Sequence, residues 1–263
     1  MRDMYRLDRK ILLITGGSHG IGAATARLAA RRGAKVMISS VDPEKLDAVA
    51  REIVASGGEC DWVQADISSP AEVANMIQAT VDRFGGLDLA YNNAGVSHAP
   101  VMPHDVTDAM LDSTIDINVK GTFYCCREQL KVFLKQGQGG NILITGSMAG
   151  IAGVGTMAPY ATSKHALAGL AKSIAVAYGQ FGIRCNFHGP GATETPMYDQ
   201  SVKDVMDYRR ANPDQKVLSK IQGPLNRNQT AEEQAEVACF LLSDASSVMT
   251  GAIVIADCGA TAY

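Results

Sequence analysis

Residues 10–22 read KILLITGGSHGIG, and this stretch decides the fold. Its first half is a short apolar run of the kind found in buried strands. Its second half is a glycine-rich turn that opens a segment with helical spacing of apolar residues. Such a turn directs backbone N–H groups and the positive end of a helix dipole at a pyrophosphate, and glycine lets the backbone approach closely. The stretch therefore predicts a strand, a phosphate-binding turn and a helix in succession.

The glycines of this turn stand at positions 16, 20 and 22, a wider spacing than the usual G-x-G-x-x-G of dinucleotide-binding proteins. A glycine-rich turn with no ligand is the structural alternative. The strand before the turn favours the binding interpretation, because it places the turn at a sheet edge. The residues predicted to line a nucleotide here are Gly16, Ser18, His19, Gly20, Ile21 and Gly22.

Short β-rich runs alternate with longer helical segments along the rest of the chain. The predicted strands are residues 10–15, 35–40, 59–65, 87–92, 140–146, 183–187 and 252–256. The predicted helices are residues 20–32, 43–56, 70–84, 110–136, 158–181 and 231–243. Right-handed crossovers between parallel strands place helices on both faces of a sheet. The pattern predicts an α/β fold with a doubly wound, parallel, seven-stranded sheet, which binds ligands beyond the carboxyl ends of its strands.

One stretch interrupts this alternation. Residues 189–228 contain prolines at 190, 196, 213 and 224 and only a modest helical patch at 201–210. A connection of this length in a compact domain is typically a lid or a binding loop, and a surface insertion is the alternative. The sequence contains no sign of a second domain, so we interpret residues 1–263 as one domain with its substrate-binding loop at 189–228.

Composition excludes several other classes of protein. The 24 Lys and Arg residues against 27 Asp and Glu give a net charge of -3, and no basic run would cover a nucleic-acid backbone. None of the six cysteines has C-x-x-C spacing, so no metal site is predicted. No apolar stretch resembles a signal peptide or reaches the length of a membrane span. We therefore expect a cytoplasmic protein with neither a nucleic-acid nor a membrane partner.

The candidate catalytic residues follow the predicted strands. Tyr160 and Lys164 are four residues apart on one helix, so they share a face and the ammonium can stabilise the phenolate. Ser147 follows a strand at the ligand edge, where its hydroxyl can hold a substrate oxygen during general acid/base catalysis. Asn118 would be buried within a helix, where its amide needs partners and a functional role is favoured over a helix defect. An isolated Tyr-Lys pair would instead be an ordinary surface pair.

Together these motifs resemble the short-chain dehydrogenase/reductase family. TGGSHGIG at 15–22, NNAG at 92–95 and the S-x12-Y-x-x-x-K pattern from Ser147 to Lys164 match its motifs, within a resemblance that spans residues 10–259. The resemblance implies a Rossmann-like fold and an NAD(P)-dependent oxidoreductase of the EC 1.1.1 type. Such an enzyme transfers a hydride between nicotinamide and a secondary alcohol or ketone. A catalytically idle nucleotide sensor with the same fold is the alternative.

The resemblance also implies a role for each catalytic residue. Tyr160 would be the general acid/base, and Ser147 would orient the substrate oxygen. Lys164 would bind the nicotinamide ribose and lower the pKa of Tyr160. Asn118 would hold a water in a proton relay through Lys164. Further cofactor contacts are implied at Asp66 and Ile67 for the adenine, at Asn92, Ala94 and Gly95 along the cofactor, and at Pro190, Gly191 and Thr193 for the nicotinamide carboxamide.

The end of the second predicted strand bears on the choice of cofactor. In the family an aspartate there accepts hydrogen bonds from the ribose 2′-OH and repels a 2′-phosphate. This chain has Ser40 at that position, followed by Val41, and no basic residue replaces it. Asp42 lies two residues later and still disfavours a phosphate. We expect a slight preference for NAD(H), with NADP(H) open because Ser40 and His19 can bind a phosphate.

The substrate pocket is predicted to be mostly apolar. Met148, Val154 and Met197 offer no charge, which favours a neutral and fairly apolar alcohol or ketone, although ordinary core packing explains methionines equally well. His98, His104 and Glu194 in the same stretches weaken this inference. His188 stands where the family usually has an aliphatic residue, and it is either a substrate contact or a core histidine. The resemblance finally implies a homo-oligomer, a tetramer formed through helices 110–136 and 158–181 and through the C-terminal segment.

Overall fold

The computed structural model describes residues 4–215 and 223–262. Its strands are β1 (Ile11–Thr15), β2 (Lys35–Ser40), β3 (Glu59–Gln64), β4 (Leu89–Asn92), β5 (Gly140–Thr145), β6 (Ile183–Pro190) and β7 (Ile253–Ala256). They form one parallel sheet in the order β3-β2-β1-β4-β5-β6-β7. The strand order reverses its direction at β1 and β4, which opens a crevice beyond their carboxyl ends. The predicted fold class is confirmed.

Eight α-helices lie in the described residues. They are α1 (Gly20–Arg31), α2 (Pro43–Ala55), α3 (Pro70–Phe84), α4 (Asp108–Ile115), α5 (Thr122–Gln136), α6 (Ala158–Tyr178), α7 (Pro196–Ala211) and α8 (Ala231–Leu242). Local signals start several of them. The Asp42 carboxylate caps α2 by accepting from the backbone N–H of Lys45, and Thr230 forms a capping box with Glu233 at α8.

Each face of the sheet has its own apolar core. On one face the buried side chains of α1, α2 and α8 pack against the strands, including Leu28, Leu46 and Leu241. On the other face α3, α5 and α6 contribute a second cluster, including Met76 and Phe133. The sheet is therefore covered on both sides, as its nearly continuous apolar strands require. Among the described residues, no helix is both long enough and apolar enough to cross a membrane.

The long helix predicted over residues 110–136 is interrupted. A π-helical turn, Asp116–Gly121, separates α4 from α5. At this turn the backbone approaches the loop after β3, because a Cβ on Gly121 would lie 2.8 Å from Ile67 Cγ1. The same turn carries Asn118, whose side chain bonds outside its own helix. Apolar periodicity does not report such a change of helix type, which commonly marks a functional site.

The region predicted as a lid is more regular than expected. Helix α7 starts at Pro196, where the Thr195 hydroxyl accepts from the backbone N–H of Tyr198 at 3.3 Å, and it runs well beyond the predicted patch at 201–210. The threonine followed by proline is an N-cap signal that sequence reading did not use. Residues 216–222 of the predicted loop lie outside the described residues. The substrate-binding role of this region stays a prediction.

Candidate active site

The glycine-rich turn after β1 forms a tight cradle. A Cβ on Gly22 would lie 2.2 Å from Gly16 O, and a Cβ on Gly16 would lie 2.9 Å from Ala94 Cα. Side chains are therefore excluded at both positions. His19 is the N-cap of α1 but its side chain does not cap the helix, and the first turn contains no acidic residue. The first N–H groups of α1 and its positive dipole end are thus suited to an anion, which fits the pyrophosphate of a dinucleotide.

Asn93 joins this turn to the end of β4. Its Nδ2 donates to Thr15 O at 3.1 Å and to Gly16 O at 3.2 Å. The Thr15 hydroxyl in turn accepts from the backbone N–H groups of Asn93 and Ala94, both at 3.1 Å. These bonds fix the phosphate-binding turn against the end of β4. Sequence reading selected neither side chain, although the doubled asparagine of NNAG was the available signal.

Asn92 does not present its side chain to the cofactor crevice. The side chain is only 2% exposed, and its amide exchanges two hydrogen bonds with Gln129 on α5, at 2.9 and 2.8 Å. The alternation of side chains along β4 sends Asn92 into the core and leaves Asn93 beside the turn. The Asn92 side chain is therefore structural, and any contact of this residue with the cofactor would involve its backbone.

The other predicted cofactor residues lie along the carboxyl edge. Asp66 and Ile67 follow β3, where the Asp66 carboxylate accepts from the backbone and hydroxyl of Ser68, both at 2.8 Å. Pro190 ends β6, and the Thr193 hydroxyl donates to Gly191 O at 3.1 Å. A Cβ on Gly20 would lie 3.2 Å from a side-chain atom of Thr195, so the glycine-rich turn faces the segment after β6. The two segments thus approach each other closely at the carboxyl edge of the sheet.

Ser147 follows β5 at the same edge. Its hydroxyl accepts from the backbone N–H of Ala149 at 3.1 Å, which starts a short 3-10 turn, Met148–Gly150. The preceding Gly146 cannot be replaced, because its Cβ would lie 1.7 Å from the Phe187 ring. Phe187 thereby fixes the backbone from which Ser147 reaches Tyr160.

Tyr160 and Lys164 lie on one face of α6, as their spacing predicted. Lys164 is only 3% exposed, and its Nζ donates to Thr145 O at 3.0 Å. The same ammonium lies 5.5 Å from the centre of the Tyr160 ring. Burial lowers the pKa of Lys164 to about 8. The lysine is thus a buried amine held by a strand end, at a place where it can act on both a ligand and Tyr160.

The pKa of Tyr160 is raised above its ordinary value. Burial raises the pKa of this phenol, and its interaction with the Ser147 hydroxyl lowers it by less. The lowering by Lys164 that the resemblance implies stays a prediction.

Asn118 clamps the segment that follows β4. Its Oδ1 accepts from the backbone N–H of Val96 at 2.8 Å, and its Nδ2 donates to Val96 O at 2.9 Å and to Ser163 Oγ at 3.0 Å. The side chain is completely buried. It orders the backbone beside Lys164, and the water-binding role of Asn118 stays a prediction.

His188 is a core histidine. The side chain is fully buried in β6, with Tyr91 Oη 3.2 Å from Nδ1 and Gln234 Oε1 2.8 Å from Nε2. Because Gln234 Nε2 donates to Ala256 O, its Oε1 must accept, so His188 Nε2 carries the hydrogen and Tyr91 donates to Nδ1. Both nitrogens are engaged, and the predicted substrate contact is replaced by the core alternative.

The remaining predicted substrate residues are Met148, Val154 and Met197. Met148 and Val154 are partly buried after β5, whereas Met197 on α7 is 41% exposed. The structure places them around the carboxyl edge without a ligand that would test their role.

Lys45 is a charged group beside the turn that sequence reading missed. Its Nζ lies 2.7 Å from Asp42 Oδ2, and its backbone N–H bonds to Asp42 Oδ1 at 3.1 Å. Partial burial and the Lys45 charge lower the pKa of His19, whereas the Asp42 charge acts to raise it. The side chains that interact electrostatically beyond β2 are therefore Lys45, Asp42 and His19. The missed signal was a lysine in the first turn of the helix that follows this strand.

The chain has similarities to known proteins over almost its whole length. A family model described as Enoyl-(Acyl carrier protein) reductase matches residues 16–261. A 2,5-dichloro-2,5-cyclohexadiene-1,4-diol dehydrogenase of Sphingobium indicum is 37% identical over 259 residues, covering 98% of this chain and 100% of that protein. A cyclohexanol dehydrogenase of Acinetobacter sp. is 33% identical over 252 residues, covering 96% of this chain and 95% of that protein.

Solved structures share the fold. The structure of a levodione reductase has a TM-score of 0.89 at 35% identity and covers 98% of this chain and 100% of that one. A short chain dehydrogenase from Mycobacterium paratuberculosis bound to NAD has a TM-score of 0.91 at 29% identity, with 98% and 100% covered. Another, from Burkholderia cenocepacia J2315 in complex with NADP, has a TM-score of 0.85 at 31% identity, with 97% and 99% covered.

Proposed function

This chain belongs to the short-chain dehydrogenase/reductase family and is an NAD(P)-dependent oxidoreductase, and we propose that it interconverts a secondary alcohol and a ketone with Tyr160 as general acid/base. One observation carries the proposal. Lys164 is buried against Thr145 O and lies 5.5 Å from the Tyr160 ring, whose phenol interacts with Ser147 at the carboxyl edge of the sheet. A surface pair of Tyr and Lys would lack this burial.

The proton transfer is assigned to named atoms. In the reductive direction the Tyr160 Oη–H donates its proton to the carbonyl oxygen, and in the oxidative direction Tyr160 Oη takes the proton of the alcohol O–H. Ser147 Oγ holds the same substrate oxygen. When bound, a nicotinamide supplies the hydride or accepts it from the carbinol carbon. Lys164 places a positive charge where the phenolate forms and replaces the hydration that burial removes.

The substrate class follows from the relatives and from the apolar residues of the site. Two relatives are named for alcohols on six-membered carbon rings, a cyclohexadienediol and cyclohexanol. Met148 and Val154, the partly buried residues after β5, carry no charge that would bind an ionic group. We therefore assign a neutral cyclic secondary alcohol or the matching ketone.

A spectrophotometric screen tests this assignment. Purified protein is mixed with NADH or NADPH and with cyclic ketones, steroids, sugars and open-chain ketones, and the reverse reaction is followed with the alcohols. The proposal expects the fastest turnover with the cyclic ketones and the matching cyclic alcohols. Tight nucleotide binding without turnover of any compound would instead favour a catalytically idle nucleotide sensor.

The cofactor preference is assigned to the Asp42–Lys45 pair. Asp42 pairs with the Lys45 ammonium after β2, and its own negative charge repels a 2′-phosphate. This arrangement supports a preference for NAD(H). The known NAD and NADP complexes of similar chains show that the fold itself accepts both nucleotides.

Replacing Asp42 by Asn is expected to shift the preference towards NADP(H). Asn keeps the helix cap but loses the charge, so the Lys45 ammonium becomes available to a phosphate. The ratio of kcat/KM for NADPH to that for NADH should rise by about 10-fold, as expected for one charge-assisted hydrogen bond. Asp47→Asn is the matched control, since Asp47 pairs with Arg51 farther along α2. Equal ratios in the two variants would contradict the assignment.

We also assign a homotetramer. Apolar side chains are exposed on the two helices that the family resemblance implicates, with Phe123 at 50% and Leu134 at 42% on α5 and Val176 at 87% on α6. Such residues favour burial between subunits. Light scattering is expected to give four times the chain mass of 27.8 kDa, and a monomer would contradict the assignment.

A further inference from the structure

His98 carries a buried ring nitrogen that has no partner in the described part of the chain. Its Nδ1 lies 2.8 Å from the carbonyl oxygen of Ala99. Because a carbonyl oxygen only accepts, Nδ1 carries the ring hydrogen, and Nε2 of the neutral imidazole is a hydrogen-bond acceptor. This Nε2 is buried and accepts no hydrogen bond from any described residue. An unsatisfied buried acceptor is rare in proteins and requires an explanation, of which a functional role is one.

The segment that carries His98 borders the catalytic residues. It begins at Gly95, where a Cβ would lie 3.5 Å from Lys164 Nζ. Asn118 then clamps both backbone groups of Val96, and the segment ends where the backbone N–H of Val101 donates to Thr156 O at 3.0 Å. Thr156 lies just before α6 and Tyr160. His98 is therefore on a fixed stretch of backbone that runs from the catalytic lysine to the start of the catalytic helix.

The part of the site that binds the reacting oxygen is polar, whereas the rest of the assigned pocket is apolar. Ser147 and Tyr160 bind the oxygen that reacts, and the other residues assigned to the pocket, Met148, Val154 and Met197, have no group that forms a strong hydrogen bond. His98 lies on the segment that borders this part of the site, and its Nε2 is an acceptor with no partner there. In a pocket of this kind one placed polar group fixes the orientation of a ligand.

We propose that His98 Nε2 accepts a hydrogen bond from a second hydroxyl group of the substrate, so that the enzyme selects cyclic alcohols that carry such a group. This inference rests on the proposed function, because the proposed function makes the pocket the binding site of a cyclic alcohol. A second carbonyl cannot take the place of the hydroxyl, since it has no hydrogen to donate. A cyclic substrate without a second polar group leaves Nε2 unpaired and therefore binds more weakly.

The test compares two ligands that differ by one hydroxyl group, cyclohexane-1,4-diol and cyclohexanol. Their binding to the protein–NADH complex is measured by calorimetry, because an alcohol does not react with the reduced nucleotide. Turnover of both with NAD+ is measured in parallel. The wild-type protein should bind the diol roughly 10-fold more tightly than cyclohexanol, as one additional hydrogen bond in a desolvated site predicts.

His98→Leu should remove this 10-fold preference and leave the binding of cyclohexanol within a factor of about two. His98→Gln retains an acceptor oxygen and should keep part of the preference. His104→Leu is the matched control, because His104 is on the neighbouring 3-10 turn and its side chain is 75% exposed. Equal binding of the two ligands by the wild-type protein, or an unchanged preference in His98→Leu, overturns the inference. A preference retained in binding without turnover of either alcohol counts against the proposed function alone.

Discussion

Replacing Tyr160 by Phe is expected to lower kcat by about 10³-fold, the range in which general acid/base catalysis contributes. The substitution removes only the hydroxyl, so the ring still packs beside Lys164, whose ammonium lies 5.5 Å from its centre. Nucleotide binding should therefore be preserved. The measurement is steady-state turnover of a cyclic ketone with NADH, together with the dissociation constant of NADH from fluorescence.

The matched control is Tyr178→Phe, the same change near the other end of α6. It should leave kcat within about two-fold of the wild type, because it removes only a hydroxyl and lies about 27 Å along the helix from Tyr160. If Tyr160→Phe kept more than about a tenth of the activity, the proton would have to come from another group.

Protonation of His188 is expected to destabilise the fold strongly in acid. Its folded-state pKa is lowered from 6.5 to about 4 because the imidazolium would be desolvated in the core. The neutral form therefore contributes stability that is complete above pH 6.5 and is lost as the pH falls towards 4. The shift corresponds to about 3 kcal/mol of unfolding free energy. Urea unfolding at several pH values between these limits measures it.

His188→Gln is the comparison for this prediction. Gln can still accept from Tyr91 and donate to Gln234, but it does not titrate. The variant is expected to lose less unfolding free energy than the wild type between pH 6.5 and 4, by about 3 kcal/mol. His104→Gln, at an exposed site, should follow the wild type. If the unfolding free energies of His188→Gln and of the wild type changed equally with pH, His188 would not be buried in its neutral form.

The sheet and the glycine-rich turn were predictable because local sequence determines both. An apolar run that leads into glycines at 16, 20 and 22 leaves few backbone conformations open, and the observed β1 and α1 follow it closely. The pairing of Tyr160 with Lys164 was predictable for the same reason, because helical geometry fixes neighbours four residues apart.

What sequence reading missed depends on contacts between distant segments. The motif NNAG does not show which asparagine faces the turn. The register of β4 against β1 decides this, and it places Asn93 beside the turn. The π-helical turn at Asn118 depends on a backbone segment 22 residues away that its side chain binds. His188 is a core residue because Tyr91 and Gln234, from two other elements, satisfy both of its nitrogens.

Isotope tracing tests the central claim most directly. Cyclohexanol with deuterium on the carbinol carbon is incubated with the protein and NAD+, and the nicotinamide ring is examined by NMR. Hydride transfer between the alcohol and the nicotinamide predicts deuterium at C4 of the ring, on one face only, and none with Tyr160→Phe in the same time. Tight NAD+ binding with no deuterium in the nucleotide, for cyclohexanol and for cyclohexane-1,4-diol alike, would contradict the proposed function.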